Sequence, residues 1–277
     1  MSTSPTISFI GAGNMASAII GGMLDSGFKA ANIWVSAPDD NHLQSIRKQF
    51  GVSVTTDNRY CAEQADMVVL AVKPQVMASV CSDIAPVVQN PRPLMVSIAA
   101  GLEASTLDEW LGGGLPLVRL MPNTPSLVGK GAAGLYANDQ VKEKQKTMVE
   151  SVFNSIGSAL WVEDESLLHA VTALSGSGPA YFFLMLEALE EAATDAGIAG
   201  ETARALAIQT MAGAAEMAGR SEHAPGQLKR NVMSPGGTTE QAIQTFEEGG
   251  MRDLVKKAYS AAYKRSGEMA KELANKQ

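Results

Sequence analysis

Thr6-Ile-Ser-Phe-Ile10-Gly11-Ala-Gly13-Asn-Met-Ala16 is the stretch that decides the fold. A short apolar run, Thr6–Ile10, reads as a strand, and Asn14–Asp25 then carries a helical pattern that stops at Ser26-Gly27. The turn between them has glycine where geometry asks for it. Gly11 permits the tight bend, Gly13 lets the backbone approach an anionic ligand, and the small Ala16 lets the helix pack on the strand. The start of such a helix presents unpaired N–H groups, which is where phosphate oxygens bind.

The same alternation continues outward. Asn32–Ser36, Val52–Thr55, Met67–Val72, Leu94–Ala99, Leu117–Leu120 and Ala132–Tyr136 read as further strands. Helical segments fall between several of them, including Asn41–Phe50 and Gln75–Val88. This pattern predicts a parallel sheet with helices on both faces. After Val162 the strands stop, and Glu165–Ala173, Pro179–Ala196, Glu201–Ala218, Thr239–Glu247 and Met251–Ala274 all read as helices. The expected architecture is therefore an α/β Rossmann-type doubly wound domain over residues 1–162, followed by an all-α domain over 163–277. The run Ala180-Tyr-Phe-Phe-Leu-Met-Leu186 is apolar all round, so both its faces ask for burial. So small a helical domain has little core to hide it in, which predicts subunit association and makes this the dimerisation domain.

Composition narrows the partners. The 277 residues are 45% hydrophobic and 18% charged, with a net charge of −7. That is a globular composition, and its sign argues against nucleic acid or an anionic membrane as partner. Cys61 and Cys81 have no metal or disulfide spacing and read as reduced thiols of a cytoplasmic protein. His42, His169 and His223 are scattered, so no metal site is expected. The opening Met1-Ser-Thr-Ser-Pro-Thr has no basic region and does not read as a signal peptide.

Candidate functional positions sit at strand ends and helix starts. Ser36 occupies the tip of the second strand, where an NAD enzyme carries Asp or Glu for the ribose diol. A neutral hydroxyl there favours NADPH, with NADH possible since Asp39 and Asp40 follow closely and no Arg is adjacent. Lys73, the run Ser97–Gly101 and Arg119-Leu-Met-Pro-Asn123-Thr-Pro125 lie at further strand ends, each equally readable as ordinary packing or solvated loop. Ser175-Gly-Ser-Gly-Pro179 and Ser234-Pro-Gly-Gly-Thr-Thr239 each open a helix with hydroxyls, free amides and flexible glycines, which together make a neutral anion cradle. No nucleophile elbow or Ser/His/Asp order is present. Reduction of a carbonyl needs a proton donor for the developing alkoxide, whereas an imine that arrives protonated needs only hydride and a hydrogen-bonding clamp. The residues suit the second case.

These motifs, with Ala71-Val-Lys-Pro74 and Thr172-Ala-Leu-Ser-Gly-Ser-Gly-Pro-Ala-Tyr181, closely resemble the pyrroline-5-carboxylate reductase family across essentially the whole chain. That family reduces a cyclic imine, 1-pyrroline-5-carboxylate, to L-proline with NADPH or NADH. The resemblance implies that Ile10, Gly11, Ala12, Gly13, Asn14, Met15, Ser36, Asn58, Ala71, Val72, Lys73, Ile98, Ala99 and Ala100 hold the cofactor. It implies that Asn231 approaches it from the helical domain. Thr239 would bond the ring nitrogen as the catalytic residue, the Gly237 and Thr238 amides would hold the carboxylate, and Glu222 would lie nearby. It also implies a homodimer with interlocked helices, often within a larger ring such as a decamer.

Two rival readings share parts of this pattern. A β-hydroxyacid dehydrogenase relative would need a catalytic lysine in the helical half, for which Lys229 is the candidate. A non-catalytic dinucleotide-binding regulator would keep Gly11–Ala16 but have no use for Ser234–Thr239.

Overall fold

Alternate side chains of the first strand, β1 (Ile7–Ile10), go to opposite faces of the sheet. Ile7 and Phe9 enter one apolar cluster with Met67, Val69, Leu94 and Val96, while Ile10 enters a second with Val68, Leu70 and Met95. Both faces are buried, so both need a helical cover. The computed structural model describes residues 5–275 and supplies it. The opening Met1-Ser-Thr-Ser therefore lies outside the described residues.

In chain order, β1 is followed by α1 (Asn14–Asp25), β2 (Ile33–Ser36), α2 (Asp40–Phe50), β3 (Ser53–Thr55) and α3 (Asn58–Glu63). Next come β4 (Met67–Leu70), α4 (Pro74–Val88), β5 (Leu94–Ser97), α5 (Ala104–Trp110), β6 (Leu117–Met121), β7 (Gly131–Ala137), α6 (Glu143–Phe153) and β8 (Gly157–Trp161). The helical part holds α7 (Leu167–Val171), α8 (Gly178–Asp195), α9 (Gly200–Arg220), α10 (Pro225–Val232), α11 (Thr238–Glu248) and α12 (Met251–Asn275). The strands form one sheet ordered β3-β2-β1-β4-β5-β6-β7-β8, with the direction of winding reversing between β1 and β4. That is the doubly wound plan, and its crevice lies outside the carboxyl ends at the reversal.

Two features depart from the sequence expectation. The sheet is not wholly parallel, because β7 runs antiparallel to β6. An eighth strand, β8, pairs parallel with β7 at the edge. Its sequence, Gly-Ser-Ala-Leu-Trp, contains no β-branched residue, so it carries little strand signal.

Packing divides the chain into two compact units, one of residues 1–177 with 262–277 and one of 178–261. The strands do end at Trp161, but α7 and the last turns of α12 pack with the sheet unit. Val171 stands against Gly134 of β7, and Leu273 against Gly101. The change of secondary structure near 162 and the change of packing partner at 177 are thus separate boundaries. No helix among the described residues is long and apolar enough to cross a membrane. Burial pushes the Cys61 thiol up to about 11 and Cys81 up to about 12, so both are protonated and inert.

Candidate functional site

One row of the sheet collects the expected cofactor residues. Ile10 is level with Ser36 on one side and Leu70 on the other, and Leu70 is level with Ser97. The loops that leave this row are Gly11–Gly13 after β1, Ala71–Lys73 after β4 and Ile98–Ala100 after β5. They are tied to one another by backbone bonds: Ala71 N–H donates to Ile10 O at 2.8 Å, and Ile98 N–H donates to Leu70 O at 3.2 Å. Asn14 and Met15 follow as the first turn of α1.

The two glycines of the turn do different work. Gly11 has φ +109°, and a Cβ there would stand 2.6 Å from the Ala71 carbonyl oxygen, so the fold itself demands glycine. Gly13 has φ −76°, which any residue adopts, and a Cβ there would meet nothing within 4 Å. No protein atom explains a glycine at 13. A pyrophosphate approaching the start of α1 does, and the residues present therefore fit a bound dinucleotide.

Ser36 differs from the sequence expectation in its orientation. It is fully buried, and its hydroxyl donates to Asn58 Oδ1 at 2.8 Å. With Oδ1 engaged, Asn58 is left with its amide N–H groups to offer outward. Asp39 caps α2, its carboxylate accepting from Asn41 N–H at 2.9 Å and His42 N–H at 3.3 Å. Lys73 is exposed at the N-cap of α4, with Pro74 at the first helical position.

Beside this row lies a buried ion pair that the sequence left unresolved. Arg119 on β6 donates through Nη1 to Glu165 Oε1 at 2.6 Å, and the same oxygen accepts from Ala104 N–H at 2.6 Å. Arg119 Nε is buried without a partner. Arg119 borders a small cavity lined also by Ala99, Ala100, Met121, His169 and Ser266, where His169 Nδ1 and Ser266 Oγ stand 2.9 Å apart. Ser266 and Glu165 carry no motif, and only the fold brings them to the end of β5 and β6.

In the second unit, Gly237, Thr238 and Thr239 lie together at the start of α11. Gly236 has φ +69°, Gly237 N–H closes a turn onto Ser234 O at 2.9 Å, and Gly237 caps α11 without a side-chain bond. Glu240 accepts from Gly236 N–H at 2.7 Å, which fixes the loop from inside. Asn231 lies on α10, where its Oδ1 accepts from Gln227 Nε2 at 2.7 Å. Glu222 is exposed between α9 and α10. Lys229 is held by Glu247 at 3.2 Å, and Arg252 pairs with the same carboxylate at 2.7 Å. These two cations, Arg252 first, hold the Glu247 carboxyl down at about 2.

The other glycine-rich segment is corrected by the structure. Ser175 is not in an open cradle, because Thr172–Gly176 forms a π-helical turn continuing α7. The Ser175 hydroxyl donates back to Val171 O at 3.1 Å, and its carbonyl accepts from Asn123 Nδ2 at 2.9 Å. A helix can spend its serine hydroxyl on its own preceding turn, and this one does.

A doubly wound sheet with a turn at its reversal suited to phosphate, joined to a helical unit, is the plan of a Rossmann-type dinucleotide-binding protein. Residues 6–101 match a family described as NADP oxidoreductase, coenzyme F420-dependent, and residues 165–269 match one described as pyrroline-5-carboxylate reductase dimerisation. The chain is 48% identical to pyrroline-5-carboxylate reductase of Pseudomonas aeruginosa, over 99% of each chain. It is 44% identical to that of Vibrio alginolyticus, over 96% of this chain and 97% of the other. Among solved structures, pyrroline-5-carboxylate reductase of Coxiella burnetii superposes with a TM-score of 0.94 at 43% identity, covering 96% of this chain and 99% of that one. The Plasmodium falciparum enzyme with NADP bound superposes with a TM-score of 0.83 at 32% identity, covering 96% and 98%. The chain belongs to the pyrroline-5-carboxylate reductase family.

Proposed function

We propose that this chain reduces 1-pyrroline-5-carboxylate to L-proline, the last step in making that amino acid, with NADPH as the preferred donor. The observation that carries the reading in this chain is the start of α11. An uncapped helix N-terminus follows a glycine at positive φ, and a threonine hydroxyl sits one residue inside. The Gly237 and Thr238 amides suit the substrate carboxylate, and the Thr239 hydroxyl suits the ring nitrogen, with Glu222 at the rim. Bound NADPH supplies the hydride. The remaining task is alignment: a protonated C=N bond accepts hydride at carbon and becomes the ring amine, so the chain need supply no proton at an oxygen.

The cofactor would lie along Ile10–Met15, Ala71–Lys73 and Ile98–Ala100, with Ser36 and Asn58 at its adenosine end and Asn231 contributing from α10. The preference for NADPH rests on Ser36, a neutral residue at the tip of β2 where a carboxylate would serve a ribose diol. Residues 1–162 then serve as the dinucleotide-binding domain and 163–277 as the substrate and dimerisation domain. The working unit is a homodimer, with a decamer as its larger assembly, in the reducing cytoplasm that two buried thiols suit.

The dehydrogenase alternative needs Lys229 free for proton transfer, and the Glu247 partnership opposes that. NADPH oxidation with racemic pyrroline-5-carboxylate, set against a panel of hydroxyacids assayed in reverse, is the deciding experiment. Turnover of the imine alone is expected. Turnover of a hydroxyacid instead, or of neither, would overturn the reading.

A further inference from the structure

His42 matched no ligand spacing in the sequence, yet it reaches the cofactor turn from thirty residues away. Its Nε2 lies 2.7 Å from the carbonyl oxygen of Ala12, the residue between the two glycines. A carbonyl oxygen only accepts, so Nε2 carries the proton and donates. The imidazole stands in the first turn of α2, which the Asp39 carboxylate holds through Asn41 N–H and His42 N–H. From the other end, Gly11 N–H donates to Ser36 O at 2.8 Å. The turn is thus pinned twice, at Gly11 by the second strand and at Ala12 by the helix that follows that strand.

The second pin has a directional consequence. In a trans peptide the C=O and N–H point in opposite directions across a rigid plane. Ala12 O and Gly13 N–H belong to one such plane. A donor fixed on the Ala12 oxygen therefore turns the Gly13 N–H away from His42, and polarisation along the amide makes that N–H a better donor. Gly13 is also the position whose missing side chain no protein atom explains. We infer that His42 is a positioning residue for the cofactor: it fixes and strengthens the Gly13 amide as a pyrophosphate donor. This rests on the reading of Gly11–Gly13 as the dinucleotide turn.

The inference separates from a direct contact with the 2′-phosphate by which ligands it affects. Dissociation constants for NADPH and NADH would be measured by fluorescence titration on the wild type, His42→Ala and His42→Gln, the last keeping an N–H donor. Losing one ordinary hydrogen bond to the carbonyl should weaken His42→Ala about fivefold. The factor should be the same for both dinucleotides, since both carry the pyrophosphate, and His42→Gln should recover most of it. A loss confined to NADPH would assign the imidazole to the 2′-phosphate and overturn the inference. Unchanged binding in His42→Ala, or no recovery in His42→Gln, would overturn it as well. A wild type that binds neither dinucleotide would instead overturn the cofactor reading on which it rests.

Discussion

At single residues, the turn after β1 offers a test in which stability and binding come apart. Gly11→Ala forces a side chain into a positive-φ position and against the Ala71 carbonyl. Strain of that kind costs roughly 1–3 kcal/mol, so thermal unfolding should shift down clearly. Gly13→Ala has an ordinary φ and open space, so its melting temperature should match wild type while NADPH affinity falls at least tenfold. Equal melting temperatures for both variants would show that the turn is not strained as described. Thr239 carries the matching prediction in the helical unit. Thr239→Ala would remove the proposed hydrogen bond to a charged ring nitrogen, about 1.5–3 kcal/mol, or roughly ten- to a hundredfold in kcat/KM. Thr239→Ser should keep most of the activity, and Thr106→Ala on α5 should do little. If Thr239→Ala turns over the imine at the wild-type rate with normal NADPH binding, the assignment fails.

At the level of elements, the Glu247 cluster between α10, α11 and the start of α12 is sensitive to acid. Its carboxyl is held at about 2, against 4.5 for the unperturbed group, chiefly by the Arg252 hydrogen bond and then by Lys229. A carboxyl depressed in the fold adds stability above its unfolded pKa and loses it as pH falls through the folded one. Urea midpoints of wild type should therefore exceed those of Glu247→Gln at pH 6, with the gap closing between about 4.5 and 2. A gap that stays constant through that window would remove the ion pairs as its cause. The elements that the sequence made legible are those with a strong period. Asn14–Asp25 is read with both ends right, and α2 to within one residue, because a capping Asp39 and a left-handed Gly51 bound it. What stayed hidden lacks local signal. Strand β8 has no β-branched residue, α10 is short, running only from Pro225 to Val232, and the π-turn at Thr172–Gly176 spells a glycine-serine loop while folding as helix. The site divides in the same way. Gly11 is readable because backbone geometry dictates it, and Gly13 because the turn before a helix start needs room for a ligand. The Arg119–Glu165 pair and the His42–Ala12 bond are not, because each joins residues that only the finished sheet brings together.

For the whole molecule, the apolar run of α8 is where the expected association of copies can be tested. An all-round apolar run asks for burial on both faces, yet within one chain Phe182, Phe183 and Leu184 are 61%, 64% and 66% exposed. Covering a large side chain of this kind is worth about 1.5–3 kcal/mol, so three adjacent ones give a second copy of the chain strong reason to dock. An open groove between α8 and α9 adds acidic residues, Glu187, Glu190 and Glu191, with Arg204 paired to Glu190 at 2.7 Å. Obligate interfaces resemble a core cut in half, and α8 reads as half of one. A charge placed there should separate the copies without unfolding either sheet unit. Leu184→Glu is expected to sediment as a smaller species than wild type and to reach monomer at micromolar concentration. Its melting temperature should become independent of protein concentration, since mass action no longer couples folding to association. Leu160→Glu is the control: that side chain is equally exposed, at 66%, but lies on the edge strand β8, and it should leave the sedimentation of wild type unchanged. If Leu184→Glu sediments like wild type while Leu160→Glu dissociates, the interface lies along the sheet edge and not along α8.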